Sequence, residues 1–436
     1  MSAEEKKKKK SFASFVKQRL YSSNSYKMKV VEKKYLLPFC LITSLFLLWG
    51  LANNMTDTLL SAFKKIMDMS DAQTSLIQFA FYGSYFCFAL PAALYIKRFS
   101  FKSGVILGLD LYAFGALLFL PAAKIASYTF YLIAIYILAG GCCVLETTAN
   151  PYILSMGSPE TATRRLNVAQ AFNPIGSILG IILSHLFILK EISLYSVSGT
   201  YAGLGIVLVL ILVVMLFANM PEGRDLSKET GVKATFRRLF KNKKYVGGVI
   251  AQFFYVGAQI GVWSFTIRLV MQELGINEAD GATIYLFTII GFCASRFLYT
   301  WLMKYIRPSK LLVFGSIMSA LCALVVVLCA GSGWLLVVFL GLISFFMSLM
   351  FPTIYGLALD DITRGGNPED AKVGASGLIM AILGGAILTP LQGIISDAHG
   401  IYASYLVPMG CFIVVLMFAI FVVRNEKVLS DTSAGR

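Results

Sequence analysis

Long apolar runs recur along this chain, and they constrain its fold more than any other feature. Each run holds few charged residues and is about twenty residues long, which is the length that a helix needs to cross a hydrocarbon layer of ~30 Å. Hydrophobic residues make up 57% of the 436 residues and charged residues 14%, whereas soluble domains carry about 45–50% and about 25%. So large an apolar excess requires contact with lipid. The sequence therefore predicts an all-α polytopic membrane protein.

The apolar runs predict twelve transmembrane helices, bounded by polar or charged connectors. The predicted spans are 36–63, 74–97, 103–123, 128–154, 164–188, 197–219, 245–272, 279–305, 309–330, 333–359, 372–397 and 401–423.

Basic residues are concentrated in alternate connectors and in the tail at residues 1–34. They occur at 97–102, 164–165, 237–244 and 304–310, whereas the connector between the ninth and tenth spans has none. Positive residues mark the cytoplasmic side of a membrane protein, so we expect both tails, 1–34 and 424–436, to be cytosolic. This placement accounts for the net charge of +15, and nucleic-acid binding is not expected.

The longest connector, at 220–244, divides the spans into two sets of six. It is polar and basic and is predicted to be a cytosolic linker between the halves 35–219 and 245–423. Small-residue stretches recur in the two halves, at Ile175–Gly180 and at Ile382–Ala386. Two parallel six-span halves are the architecture of the major facilitator fold, and small residues let helix backbones approach closely.

The sequence contains few of the residues that catalytic or metal-binding sites require. The chain has two histidines, His185 and His399, and its eight cysteines all lie inside apolar runs. An intramembrane enzyme would need a nucleophile with a base, or metal ligands. We therefore expect no enzyme activity, no cofactor and no metal, and a transported solute is the better interpretation. A receptor or a structural membrane protein is the remaining alternative.

Asp57 is the first of two acidic residues that stand out against the apolar pattern. A charged side chain at the bilayer centre costs about 2.5–3.5 kcal/mol on insertion scales, so such a residue needs a compensating reason. Asn53 and Asn54 precede Asp57 by four and three residues and can share its helix face. Two amides and a carboxylate can bind several hydroxyls. Alternatively, Asp57 lies near the helix end and contacts lipid headgroups.

Glu146 is the second such residue and lies far from any predicted connector. Asn150 follows four residues later on the same helix face, and Pro151 frees a backbone carbonyl nearby. The main alternative to a functional role is structural pairing of Glu146 with an arginine. Arg296, in the eighth span, could balance Glu146 or Asp57, or could extend toward Lys304.

Two polar stripes accompany these carboxylates. A stripe of amides in the fifth span and a mixed amide and aromatic stripe in the seventh recur at helical spacing. They consist of Asn167, Gln170 and Asn173, and of Gln252, Tyr255, Gln259 and Trp263. Amides and carboxylates bind sugar hydroxyls, and an aromatic ring suits the apolar face of a sugar. Hydrogen bonding between helices explains such stripes equally well.

Four segments that contain these residues together resemble the fucose–proton symporter family of the major facilitator superfamily. They are LWGLANNMTD at 48–57, LETTANP at 145–151, NVAQAFN at 167–173 and YVGAQIGVW at 255–263. The resemblance extends over about residues 35 to 423. It implies a bacterial inner-membrane carrier of L-fucose, or of glucose or galactose.

The resemblance also implies roles for individual residues. Asp57 and Glu146 are expected to couple sugar transport to a proton, with Glu146 also contacting the sugar. The other expected sugar-binding residues are Asn53, Asn54, Asn150, Gln170, Asn173, Gln259 and Trp263. A low-dielectric cavity favours the neutral form of a carboxyl group, so a carrier that changes face only with neutral carboxyls would couple the two fluxes. We expect it to act as a monomer. A passive sugar facilitator is the alternative.

Overall fold

Within the part of the chain that the structure describes, twelve helical segments are long and apolar enough to cross a membrane. The structure is a computed structural model that describes residues 29–69, 71–188, 193–220, 232–365 and 368–434. The predicted number of spans is confirmed, and the observed bounds lie within a few residues of the predicted ones for most spans. The all-α architecture is also confirmed.

Several spans consist of two successive helices. Spans one to six are formed by Leu36–Ile66, Asp71–Arg98, Phe101–Leu117 continuing as Phe119–Ile125, Tyr128–Ser155, Ala162–Gln170 continuing as Asn173–Leu183, and Leu194–Phe217. Spans seven to twelve are formed by Lys243–Leu274, Glu278–Leu302, Pro308–Leu328, Trp334–Met347 continuing as Met350–Gly365, Pro368–Met380 continuing as Leu383–His399, and Ile401–Ser404 continuing as Leu406–Ala434.

Glycines bring the same pair of spans together in each half. A Cβ atom on Gly176 of span five would overlap the backbone carbonyl of Leu47 in span one. In the second half, a Cβ atom on Gly384 of span eleven would overlap the carbonyl of Phe253 in span seven. Both glycines belong to the small-residue stretches noted in the sequence. The recurrence of these stretches therefore reflects one packing geometry that is used twice.

Spans five, ten and eleven are interrupted near the middle of the bundle. The interruptions fall at 171–172, 348–349 and 381–382. In span five the second helix begins with Asn173 and Pro174, and proline suits the first turn of a helix because it has no backbone N–H to leave unpaired. Each interruption frees backbone groups that need partners inside the protein, since lipid offers none.

A short helix, Val232–Lys241, lies in the predicted linker segment. Its Arg238 donates two hydrogen bonds of 2.6 Å to the two carboxylate oxygens of Asp370, at the start of span eleven. These bonds raise the pKa of the Arg238 guanidinium. Thr235 accepts a bond of 3.5 Å from Lys97, at the end of span two. The linker helix therefore contacts both halves.

The two halves make most of their contacts toward one end of the bundle, here called the basic end. It carries the connectors at 99–100, 156–158 and 303–307, next to the clusters of basic residues. There Met350–Gly365 packs on Ala162–Gln170, and Pro368–Met380 packs on spans two and four.

Side-chain contacts across the interface reinforce this closure. The ammonium group of Lys372 lies 4.9 Å from the centre of the Phe101 ring. The Asn167 amide donates a bond of 3.2 Å to Thr353. Both contacts join a residue of one half to a residue of the other.

The close approach of spans seven and eleven can be tested with Gly384→Ala. The added methyl group would push the two helices apart, and overpacking of this kind costs about 1–3 kcal/mol. We expect a lower midpoint of thermal unfolding for the purified protein in detergent. Gly410→Ala is the matched control, because no atom lies within 4 Å of a Cβ atom there. Equal midpoints for the two variants would contradict this packing.

Candidate functional site

Glu146 lies at the interface of the two halves and is buried. Its side chain is 3% exposed, and neither carboxylate oxygen makes a hydrogen bond of good geometry, although the Asn150 amide is close enough to interact with it. Tyr85 of span two and Tyr355 of span ten are within electrostatic range of it. Burying an isolated charge is expensive, so Glu146 is suited to holding a proton or an external hydrogen-bond donor.

Pairing of Glu146 with an arginine, the alternative that the sequence left open, does not occur among the side chains that the structure describes. Arg296 instead donates hydrogen bonds to the backbone carbonyls of Ser348, at 2.7 Å, and of Gln170, at 3.0 Å. No carboxylate among the described side chains forms an ion pair with it.

An amide pair lies one turn along span four from Glu146. The Gln170 amide nitrogen donates a bond of 2.8 Å to the side-chain oxygen of Asn150. Both residues are buried, and the amide nitrogen of Asn150 has no partner. Two predicted sugar-binding residues are therefore in contact, and they leave one buried donor free.

Aromatic residues surround this region, and the sequence analysis assigned them no role. The indole nitrogen of Trp49 donates a hydrogen bond to the hydroxyl of Tyr85. The Trp49 ring lies 6.4 Å from that of Phe351, across the interface of the halves. Trp49 belongs to one of the four segments that resemble the family, and this was the signal in the sequence that could have identified it as a site residue. Tyr85 and Phe351 gave none, because aromatic residues are common throughout such spans.

The remaining N-terminal candidates differ in how they are used. Asn53 has a buried side-chain oxygen without a partner, so it remains available to a ligand. Asn54 donates a bond of 3.3 Å to the carbonyl of Gly50 in its own helix. Asn173 donates a bond of 3.2 Å to the carbonyl of Phe46, which ties span five to span one. The side chain of Asp57 lies outside the described part of the structure, so its role stays a prediction.

The C-terminal half contributes the stripe on span seven. Gln259 and Trp263 are partly exposed, whereas Gln252 and Tyr255 are fully buried. The indole nitrogen of Trp263 has no partner, and its ring packs edge-on against Phe292 at 5.1 Å. The stripe therefore divides into a packed inner part and an accessible outer part.

Asp110 is an acidic residue of the bundle that the sequence analysis did not consider. Asp110 lies within span three and is exposed, whereas the packed face of that helix consists of residues such as Leu109 and Tyr112. Span three packs against spans four and six, and Asp110 points away from its packed face. Its isolation from the interface makes it a suitable control for Glu146.

Within the described ranges, no three His, Cys, Asp or Glu side chains are placed to share a metal ion.

Comparison with known proteins decides the family. The profile of the Major Facilitator Superfamily matches residues 39–382. The chain belongs to this superfamily. It is 40% identical to an L-fucose-proton symporter of Haemophilus influenzae, over 92% of this chain and 99% of that protein. This similarity places it in the fucose–proton symporter family, which confirms the resemblance seen in the sequence.

Two further relatives are informative. A glucose/galactose transporter of Brucella abortus is 31% identical over 89% of this chain and 95% of that protein. The crystal structure of the superfamily transporter FucP in the outward conformation has a TM-score of 0.81, with 34% identity over 89% of this chain and 99% of that chain.

The isolation of Glu146 can be tested by its effect on stability. Glu146→Gln removes a buried ionisable group and breaks no hydrogen bond of good geometry, so we expect an unchanged or higher midpoint of thermal unfolding. Gln170→Leu leaves the Asn150 oxygen without its donor and should lower the midpoint, at a cost of about 1–3 kcal/mol. A large loss of stability in Glu146→Gln would show that the carboxylate has a structural partner.

Proposed function

We propose that this chain imports L-fucose together with a proton across the bacterial inner membrane. The observation that carries the proposal is the Glu146 carboxyl group, buried without a partner where the two halves meet. The similarity to L-fucose-proton symporters supports this choice of substrate and ion. Proton-coupled sugar symport is the activity that the family and this geometry share.

The buried amides and the aromatic residues suit opposite sides of a sugar. Asn150 and Asn53 offer unpaired polar atoms to hydroxyl groups. Trp263 offers an aromatic face to the C–H groups and to the methyl group that distinguishes a 6-deoxyhexose. Gln170 and Gln259 complete the polar lining. Asn54 and Asn173 act through the helix carbonyls that they hold.

Coupling follows from the cost of a buried charge. With the site open to water, Glu146 takes up a proton and the sugar binds to the amides. The neutral carboxyl group lets the halves close around it, since an unpaired carboxylate would oppose closure. Opening on the other side hydrates the site again and releases both. Asp57 is proposed as the second proton-coupling carboxyl group.

The closed end of the bundle suggests the direction in which the site opens. The halves are joined at the basic end, through Met350–Gly365 and Ala162–Gln170. Basic connectors favour the cytoplasmic side. We therefore propose that both termini are cytosolic and that this conformation faces outward, like the FucP structure to which it is similar. Both halves and the whole site belong to one chain, which suits a monomer.

Uptake into proteoliposomes tests the function. With an acidic exterior, we expect labelled L-fucose to accumulate above its external concentration, and a protonophore to abolish the excess. Simple equilibration that ignores the gradient would instead support a passive facilitator. D-glucose and D-galactose should be run in parallel, because a related carrier is a glucose/galactose transporter. Accumulation of these hexoses without L-fucose would overturn the substrate assignment.

The role of the carboxyl groups is tested with Glu146→Gln and Asp57→Asn. A permanently neutral side chain permits closure without a proton, so sugar exchange across the membrane should persist in Glu146→Gln while gradient-driven accumulation is lost. We expect Asp57→Asn to lose accumulation as well. Asp110→Asn makes the same chemical change away from the interface and should behave like the wild type. Unchanged accumulation in either test variant would remove that residue from the coupling mechanism.

A further inference from the structure

Arg296 is a buried cation that the transport mechanism described above does not use. Its side chain is 3% exposed, and its guanidinium group is held by backbone carbonyls instead of a carboxylate. The ring of Phe292, one turn earlier in span eight, lies 4.7 Å from the guanidinium carbon. A buried arginine that is satisfied in this way is sensitive to the position of each carbonyl.

The two carbonyl groups belong to two helix interruptions, one in each half. Ser348 follows the helix Trp334–Met347 of span ten, and Gln170 ends the helix Ala162–Gln170 of span five. Carbonyls at the end of a helix lack partners within it and carry partial negative charge. Arg296 therefore joins the two halves through their backbones, at the interruptions of spans five and ten.

The same arginine reaches the proposed sugar site on both sides. In the N-terminal half, it holds the backbone of Gln170, whose side chain bonds Asn150. In the C-terminal half, it lies on the Phe292 ring, and that ring packs against Trp263 in a T-shaped arrangement. One side chain thus connects the amide pair to the aromatic residue on the opposite side.

We propose that Arg296 is a positioning residue, which sets the amide pair and Trp263 at their correct separation while the basic end is closed. This inference rests on the sugar site proposed above. Opening of the basic end separates the two halves and breaks the bond from Arg296 to Gln170. The site therefore binds sugar more tightly in this conformation than after it opens at the basic end, which favours release on that side.

The test replaces Arg296 by lysine, which keeps the charge but cannot reach both carbonyls with a planar two-donor group. Loss of one hydrogen bond to a charged group corresponds to about a tenfold change in affinity. We expect the KM for L-fucose entering from the outer face to rise about tenfold in Arg296→Lys, with the KM at the basic end and the maximal exchange rate little changed. A purely structural role would affect both faces together and lower the unfolding midpoint.

Arg268→Lys is the matched control, since Arg268 is an exposed arginine of span seven and has no place in the site. It should leave both KM values unchanged.

A further variant distinguishes a positioning role of Arg296 from an effect on the equilibrium between conformations. The double substitution Asn167→Cys and Thr353→Cys, at side chains that are in contact across the basic end, would lock that end closed through a disulfide bond.

In the locked protein, sugar binding can be measured directly at equilibrium. We expect Arg296→Lys to bind L-fucose about tenfold more weakly than the locked wild type. If locking restored the affinity of the wild type, Arg296 would only bias the conformational equilibrium and the proposal would be wrong. Equal outer KM values for Arg296→Lys and the wild type would also overturn it. Failure of the wild type to transport L-fucose would be a failure of the proposed function instead.

Discussion

Lipid offers no partner to a backbone carbonyl or N–H group, and this constraint governs the whole structure. It explains why the chain crosses the membrane only as helices, and why interrupted helices turn their freed groups inward. The interruptions at 171–172 and 348–349 supply the two carbonyls that Arg296 binds. The irregular backbone therefore lies where the two halves meet, and the same region carries the polar side chains of the site.

The site combines one unpaired acid with partners that are only partly satisfied. Glu146 and the amide nitrogen of Asn150 make no hydrogen bond of good geometry, and the indole N–H of Trp263 is also without a partner. A protein built for stability alone would pair or remove such groups, because each costs free energy when it is buried. The position of these three groups is consistent with a transient occupant that supplies the missing partners. A sugar with a proton meets that requirement, since hydroxyl groups donate and accept and the proton cancels the charge.

The structure also distinguishes residues that seemed equivalent in the sequence. The amides of span five all belong to one helical stripe, yet they have different hydrogen-bond partners. Gln170 bonds a neighbouring amide, Asn173 bonds the backbone of span one, and Asn167 bonds Thr353 across the interface. On span seven, Gln252 is buried and Gln259 is accessible. Periodicity identifies a shared face, but the depth of each residue along that face depends on which helices cover it.

The sequence by itself determined the number of spans and the fold of two similar halves, and it singled out Glu146 as a candidate residue. These follow from local properties: the length of an apolar run, the recurrence of small residues at Gly176 and Gly384, and the cost of an acid in an apolar helix. Only the tertiary structure decided that Arg296 binds carbonyls and not Glu146, and that Tyr85 and Tyr355 approach Glu146 from two different halves. Such contacts join residues that are far apart in the chain. They depend on how tilted and interrupted helices meet, and no pattern within a single span specifies that geometry.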